Sequence, residues 1–272
     1  MKMKSIRVIA ILFALIVPKG YTLAQSENKM SFMIPEGAQY SIVSNDDNGN
    51  RQLFIRPNGE VWIATGSKIY CEHESVEFPP GITPTEYCWT SNDDLAFFYR
   101  DTIYLLDSST SLKPLAIVES RNIKITPFDK SNFLFCSIGD TVIYSYNLDN
   151  NSVSVFLTYS NPITDFTTDK EDVFFSSGNH IIARLKEELY MPILQNTLPI
   201  KYFSFCGSKS IFLSDSNGLW MVDNDRNKYL ISNQQINDII TDNKEQGLFK
   251  LIDGSWIYVY PLTKYELSTE KQ

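Results

Sequence analysis

The chain has 272 residues, of which 43% are hydrophobic and 13% aromatic, and its formal net charge at pH 7 is −8. This acidic balance argues against a nucleic-acid-binding role and against attachment to anionic membranes, because both need clustered Lys and Arg. The 17 Phe and 15 Tyr residues favour β-strands, on whose pleated surface aromatic side chains pack well.

Residues 1–25 have the pattern of a secretory signal peptide. Lys2, Lys4 and Arg7 precede the apolar run Val8 to Val17, and a polar stretch then leads to Ala24 and Gln25. The apolar run is shorter than the about 20 residues that cross a bilayer, and a buried first strand or an N-terminal anchor fits the pattern less well. We expect cleavage after Ala24 or Gln25 and an exported protein, periplasmic or extracellular. Four basic residues and no acidic residue would be removed, which changes the net charge from −8 to −12.

A pair of apolar residues recurs along the rest of the chain at a nearly constant period, which is the sign of a repeat architecture. The spacings between successive pairs are 34, 40, 39, 37 and 38 residues. The pairs are Ile69-Tyr70, Ile103-Tyr104, Ile143-Tyr144, Ile182-Ala183, Leu219-Trp220 and Ile257-Tyr258.

Each pair follows a short polar turn and a second apolar run, and between hairpins the sequence indicates a strand, a break and another strand. Four antiparallel strands per repeat predict an all-β fold, a single β-propeller of six four-stranded blades over residues 26–262, with a tail at 263–272. The segment "MSFMIPEGAQYSIVS" stands ahead of the first hairpin. We therefore expect an N-terminal strand to complete the last blade, with Met30–Ile34 beside Trp256–Tyr260. A β-sandwich, an open β-solenoid, or five or seven blades are the alternatives.

One copy of the repeat, residues 53–70, carries a family resemblance. It has Pro57-Asn58-Gly59 at the first turn, Val61-Trp62-Ile63 in the strand, Thr65-Gly66 at the second turn and Ile69-Tyr70 at the end. This pattern resembles the propeller repeat of periplasmic two-component regulators. The other five copies keep the hydrophobic rhythm without the Trp-Ile and Thr-Gly signature, and no kinase or DNA-binding segment follows. The resemblance therefore implies the propeller fold and an exported location, without the signalling role.

Cysteine and histidine usage leaves little material for metal or disulfide chemistry. The four Cys residues form no CxxC pair and only two His residues are present, so a structural zinc site is not expected. Each Cys stands among apolar neighbours, where an unpaired thiol behaves as a small hydrophobe. We expect four free thiols, with a Cys71–Cys88 disulfide as the alternative.

The turns between the second and third strands supply the candidate site. In a propeller these turns and the junctions between blades lie on one face around the central channel. A ring of mainly acidic groups there would bind a cationic or hydroxyl-rich ligand, or a metal. The alternative is that polar residues stand there because turns are solvated. The residues in question are Lys68, Arg100, Asp101, Asp140, His180, Asp215 and Asp253.

Two functions remain open from the sequence. The first is an exported, non-catalytic propeller that binds a protein or glycan partner as a monomer and needs no cofactor, since the nucleophile, phosphate-loop and zinc-protease motifs are all absent. The second is a metal-dependent hydrolase or lyase with calcium at the channel mouth. Its ligands would be Asp101, Asp140, Asp215 and Asp253, because calcium prefers oxygen ligands.

Overall fold

The computed structural model describes residues 21–24, 32–43, 51–56, 58–90, 92–107, 111–120, 122–169, 172–185, 189–206, 210–242 and 245–265. Residues 1–20 and Gln25 of the predicted signal peptide lie outside this range and Tyr21–Ala24 form a strand, so cleavage of the signal peptide stays a prediction. The chain divides into two compact units, Asn50–Phe203, and Met1–Gly49 with Ser204–Gln272. Within the described ranges no helix has the length and hydropathy of a membrane-spanning segment.

The unit Asn50–Phe203 holds four antiparallel sheets, each built from four strands that follow one another in sequence. The first sheet contains β4 (Arg51–Ile55), β5 (Val61–Thr65), β6 (Lys68–Tyr70) and β7 (Ser75–Glu77). The second contains β8 (Glu86–Trp89), β9 (Leu95–Tyr99), β10 (Thr102–Leu106) and β11 (Leu112–Ile117). The third contains β12 (Ile123–Pro127), β13 (Asn132–Ser137), β14 (Val142–Asn147) and β15 (Ser152–Thr158). The fourth contains β16 (Asp165–Asp169), β17 (Asp172–Ser177), β18 (His180–Arg184) and β19 (Tyr190–Gln195).

Two further sheets complete the repeat. The fifth is ordered β1-β2-β23-β22-β21-β20 and the sixth β24-β25-β26-β3. The strands of the fifth are β1 (Tyr21–Ala24), β2 (Phe32–Pro35), β20 (Tyr202–Cys206), β21 (Ser210–Asp215), β22 (Gly218–Val222) and β23 (Lys228–Ser232). Those of the sixth are β3 (Gln39–Val43), β24 (Ile236–Thr241), β25 (Gly247–Leu251) and β26 (Trp256–Tyr260). Strands β20 to β23 form the blade of the fifth sheet, and β1 and β2 are added at its edge. Six four-stranded blades thus confirm the predicted β-propeller.

An N-terminal strand completes the last blade as expected, but it is a later strand than the sequence indicated. Gln39–Val43 pairs with Trp256–Tyr260 in unbroken antiparallel register. Phe32–Pro35 instead adds to the fifth sheet, where Phe32 bridges Ser232. The prediction for Met30–Ile34 was wrong because a turn, closed by the Ala38 N–H on the Pro35 carbonyl at 3.2 Å, divides the N-terminal segment into two strands.

Burial decreases from the second strand of a sheet to its last strand. Alternate residues of β13 face opposite sides: Leu134 and Cys136 pack in a cluster with Phe175 of the fourth sheet. Phe133 packs in another cluster with Phe98 of the second sheet. Strand β13 therefore reads as a continuous apolar run, because neighbouring sheets cover both of its faces. The first four residues of the last strand, β15, are exposed.

Polar contacts connect the first strands of the third and fourth sheets. The carboxylate of Asp165, a residue that is 1% exposed, accepts a hydrogen bond from Lys124 Nζ at 2.5 Å. Its second oxygen accepts from the Phe203 N–H at 2.8 Å, and the Thr168 hydroxyl donates to the Pro127 carbonyl at 2.6 Å. One buried carboxylate thus joins three chain segments that are distant in sequence.

A β-bulge interrupts the pairing of the third and fourth strands in four sheets. The register shifts lie at Ile103/Tyr104, Ile143/Tyr144, Ile181/Ile182 and Leu219/Trp220. No shift occurs between β6 and β7 or between β26 and β3. Because a bulge twists the last strand, the edges of these four sheets are less able to accept another strand.

Candidate functional site

All seven candidate residues lie at turns between the second and third strands, as the repeat predicted. In the unit Asn50–Phe203, Lys68 begins β6, Arg100 and Asp101 form the β9–β10 turn, Asp140 lies in the β13–β14 turn and His180 begins β18. In the other unit, Asp215 ends β21 and Asp253 lies in the β25–β26 turn. The structure therefore places the candidate residues at equivalent positions in successive sheets.

Main-chain hydrogen bonds hold these turns in the unit Asn50–Phe203. In each of its four sheets, a carbonyl of the turn accepts a hydrogen bond from an N–H of the junction that leads to the next sheet. The turns are thus fixed by the backbone, whatever their side chains. The four bonds run from Phe78 N to Ser67 O at 2.8 Å, Val118 N to Asp101 O at 2.7 Å, Ile163 N to Asp140 O at 2.7 Å and Ile200 N to Gly178 O at 2.8 Å.

Four of the candidate side chains in this unit are exposed, namely Lys68, Arg100, Asp101 and Asp140. The Lys68 Nζ lies 5.4 Å from the Tyr70 ring centre, and the Arg100 guanidinium lies 5.0 Å from that of Tyr99. His180 is half-buried. The unit therefore presents both cationic and anionic groups on turns of one type.

The two acidic turns also orient their carboxylates locally. Asp101 accepts a hydrogen bond from the Thr102 hydroxyl at 2.9 Å, and Asp140 accepts one from the Thr141 N–H at 2.7 Å. Each carboxylate keeps further acceptor positions, because an ionised carboxylate has about four lone-pair sites. The exposed acids are therefore oriented and still able to bind a donor.

The other unit contains one exposed candidate and one buried candidate. Asp253 is exposed and accepts hydrogen bonds from the Ser255 N–H at 2.9 Å and the Ser255 hydroxyl at 2.5 Å. Asp215 is 0% exposed. Its carboxylate accepts from Lys228 Nζ and from Trp220 Nε1, each at 3.0 Å. The internal ion pair gives Asp215 a structural role within its sheet.

The acidic residues do not assemble into a metal site in the part of the chain that the structure describes. There, no three His, Cys, Asp or Glu side chains lie close enough together to hold an ion. All four cysteines are free thiols; Cys88, Cys136 and Cys206 are buried, and Cys71 is half-buried. Burial raises the pKa of the Cys136 thiol to about 12, with smaller contributions from Asp140 and Asp165. A buried, protonated thiol is a poor metal ligand and a poor nucleophile.

A second cluster is centred on Arg56 and lies at the turns that join the first strand of a sheet to the second, or the third to the fourth. It was not predicted from the sequence. The Arg56 guanidinium stacks on Trp89, with its carbon 4.6 Å from the ring centre. Its nitrogens lie 3.1 Å from the Asp93 carboxylate, 3.5 Å from that of Glu74 and 3.9 Å from that of Glu60. The sequence signal was the run "RPNGEVW", which we used only as a repeat signature.

The neighbours of Glu60 in the Arg56 cluster lower the pKa of its carboxyl group. A hydrogen bond with the Cys71 thiol lowers the pKa of Glu60 most, against partial desolvation, and Trp62, Asn58 and Arg56 lower it further. The Trp62 indole N–H donates to Glu60 at 3.0 Å. The ion pairs of Arg56 with Glu60, Glu74 and Asp93 thus connect the first and second sheets.

Solved structures confirm the propeller fold. Virginiamycin B lyase from Staphylococcus aureus superimposes with a TM-score of 0.60 at 14% identity, covering 88% of this chain and 94% of that chain. A streptogramin B lyase gives a TM-score of 0.60 at 16% identity, covering 92% and 96%. The protein U3-55K gives 0.56 at 10% identity, covering 79% and 78%. At these identities the likeness shows the fold alone.

Sequence comparison adds no family assignment. No family model matches the chain, and no curated protein matches it. The resemblance of residues 53–70 to the two-component regulator repeat therefore remains an expectation from that single copy.

Proposed function

We propose that this protein is an exported, non-catalytic β-propeller that binds a protein or glycan partner through the turns between its second and third strands. The observation that carries the proposal is the combination of fixed backbone and exposed charge at these turns. In the unit Asn50–Phe203, four such turns are tied to the following junctions by main-chain hydrogen bonds. A surface that is already ordered loses little conformational entropy when a partner binds.

The charges on these turns favour a protein partner over a glycan. Lys68 and Arg100 are cationic, and Asp101 and Asp140 are anionic. Opposite charges arranged on one surface select a partner with the complementary pattern and repel others. A neutral glycan has no such pattern. Mature chains carrying a net charge of −12 repel one another over short distances, which agrees with a monomer as the binding form.

A metal-dependent hydrolase or lyase is the alternative, and it receives less support. The likeness to virginiamycin B lyase is a likeness of fold, and the same fold serves unrelated functions. Of the four proposed calcium ligands, Asp215 is already occupied by Lys228 in an internal ion pair. The described residues also contain no cluster of three potential ligands.

Photo-crosslinking in cells tests the binding surface. A benzophenone amino acid placed at position 68 or 100 is expected to yield an adduct of one discrete mass, because both positions are exposed on the proposed surface. Matched controls at positions 130 and 150 are also exposed, but they lie in the β12–β13 and β14–β15 turns of the same unit, not in turns between second and third strands. An equal adduct at all four positions, or adducts at the control positions alone, would contradict the proposal.

Thermal unfolding with calcium or EDTA separates the two functions. A binding protein without a metal site is expected to have the same Tm in millimolar calcium and in EDTA. A calcium site filled at 100 times its Kd would add about 2.7 kcal/mol and raise the Tm by about 5 to 10 °C. A rise of this size that disappears in Asp140→Ala would support the metal enzyme. Asp215→Ala is unsuitable for this test because it leaves Lys228 without its buried partner.

A further inference from the structure

Three turns between second and third strands contain two residues each and share a backbone feature. The first turn residue has a positive φ, which is +50° at Gly66, +59° at Arg100 and +59° at Gly178. The second turn residue has no positive φ in any of them. This pattern agrees with a type II′ hairpin turn, in which glycine is the favoured residue at the first position because a Cβ atom is strained there. Arg100 therefore holds a strained conformation where two equivalent turns have glycine.

The Arg100 side chain is exposed and held in place from one side only. Within the described residues its guanidinium has one partner, the Tyr99 ring, whose centre lies 5.0 Å from the guanidinium carbon. The Tyr99 hydroxyl donates to the Gly81 carbonyl at 2.5 Å, so the ring is itself fixed to the junction that follows the first sheet. Arg100 thus presents a positioned cation that has no carboxylate partner among the described residues.

We infer that Arg100 is the anchor of the proposed binding surface, and that it receives the carboxylate of an Asp or Glu side chain of the protein partner. This inference rests on the proposed function and specifies the chemistry of its central contact. A guanidinium with free N–H groups matches a carboxylate, with which it forms two parallel hydrogen bonds. Arginine at a glycine position lowers stability, and such strain is typical of residues that are retained for function.

The residue next to Arg100 favours a carboxylate over a phosphate group. Asp101 is exposed, and its carboxylate accepts a hydrogen bond from the Thr102 hydroxyl at 2.9 Å. A phosphate monoester carries a charge of about −1.5 to −2 at pH 7, so Asp101 repels it up to about twice as strongly as it repels a carboxylate. A singly charged anion therefore fits best beside this pair of residues.

Photo-crosslinking from position 68 tests the anchor in the full-length protein in cells. With the benzophenone at position 68, Arg100→Gly and Arg100→Ala are each expected to lower the adduct yield about tenfold or more, as for an interface hot spot. Arg100→Lys keeps the charge without the planar fork and is expected to give an intermediate yield. A benzophenone at position 100 replaces the anchor itself, so its adduct is expected to be weaker than the adduct from position 68.

Arg226→Gly is the matched control for the cross-linking variants. Arg226 is also exposed and has a φ of +65°, but it lies in the β22–β23 turn, which is not a turn between second and third strands. This variant removes an arginine and its backbone strain outside the proposed surface. We expect an unchanged adduct yield. A loss equal to that of Arg100→Gly would contradict the inference, because the yield would then follow charge or strain in general.

Thermal unfolding shows whether Arg100 serves binding or the fold. Arg100→Gly relieves the strain of the turn, which outweighs the greater freedom of glycine in the unfolded chain, and is expected to raise the Tm by about 2 to 4 °C. Arg100→Ala keeps a Cβ atom in the strained conformation and is expected to give no rise. Weaker binding together with a higher Tm would exclude unfolding as the cause. A lower Tm in Arg100→Gly would overturn the inference, because Arg100 would then support the fold.

Mass spectrometry of the cross-linked peptide identifies the partner segment. Replacing an Asp or Glu of that segment by Asn or Gln is expected to reduce the adduct yield as much as Arg100→Gly does, and the two changes together are expected to cost no more than either alone. An unchanged yield in Arg100→Gly, or a segment without an acidic residue, would overturn the inference and leave the proposed function standing. The absence of any adduct from position 68 with Arg100 intact would overturn both.

Discussion

Gly218→Ala is expected to destabilise the protein by more than about 4 kcal/mol, the largest effect of any single substitution considered. A Cβ atom at position 218 would lie 2.0 Å from the Ser232 carbonyl oxygen, a main-chain atom that no rotamer change can move. Gly218 also has a φ of +138°, which a residue with a side chain rarely adopts. Because Gly218 begins β22 and Ser232 ends β23, relief of the clash requires separation of the two strands. Denaturant unfolding at equilibrium measures the loss.

Gly139→Ala is the matched control for this prediction. Gly139 also has a positive φ, +94°, but a Cβ atom at position 139 would have no other atom within 4 Å. Only backbone strain then remains, about 1–2 kcal/mol. Equal losses in the two variants would show that strain, and not the contact with Ser232, sets the cost at position 218.

Asp165→Ala is expected to cost about 3–5 kcal/mol of unfolding free energy, since removal of one partner of a buried ion pair leaves the other partner uncompensated. The carboxylate contacts Lys124 at 2.5 Å and the Phe203 N–H at 2.8 Å, so three segments lose a common acceptor. The Lys124 side chain is 21% exposed and regains some hydration, which places the expected loss near the lower limit. Chemical denaturation of the variant measures it.

Asp165→Asn separates charge from hydrogen bonding at the same site. The amide keeps an oxygen for the Phe166 N–H, which donates to Asp165 at 2.9 Å, or for the Phe203 N–H. We expect a smaller loss than for alanine. A loss below about 1 kcal/mol in Asp165→Ala would mean that the carboxylate does not link the first strands.

The repeat rhythm of the sequence was sufficient to predict the blades. Every blade has the same backbone pairing and buries the same positions. The sequence therefore repeats an apolar pair with a period of nearly 40 residues. The strand that completes the last blade was assigned wrongly, because both Phe32–Pro35 and Gln39–Val43 are short, uncharged strand segments. The turn at Pro35 and Gly37 separates them, and only long-range pairing decides which of the two joins Trp256–Tyr260.

The candidate turns were predictable in position but not in exposure. Their place in the repeat fixed where Asp140 and Asp215 stand along the chain. Whether a carboxylate is exposed depends on a partner elsewhere: Lys228 Nζ, on β23, lies 3.0 Å from Asp215, on β21, although β22 lies between the two strands, and no repeat rule requires a lysine there. The Arg56 cluster was not predicted for the same reason, because Arg56 and Asp93 are 37 residues apart in the sequence.

The bonds between turns and junctions have a consequence for how this protein can diversify. Because the contacts from Phe78 to Ser67 and from Ile163 to Asp140 use main-chain atoms, the side chains at positions 68 and 140 can change without loss of these bonds. In these turns, main-chain atoms hold the fold, and the side-chain atoms of the same residues determine which partner is bound. Related propellers are free to exchange the groups at positions 68 and 140, and so to acquire new partners, while the blades beneath stay unchanged.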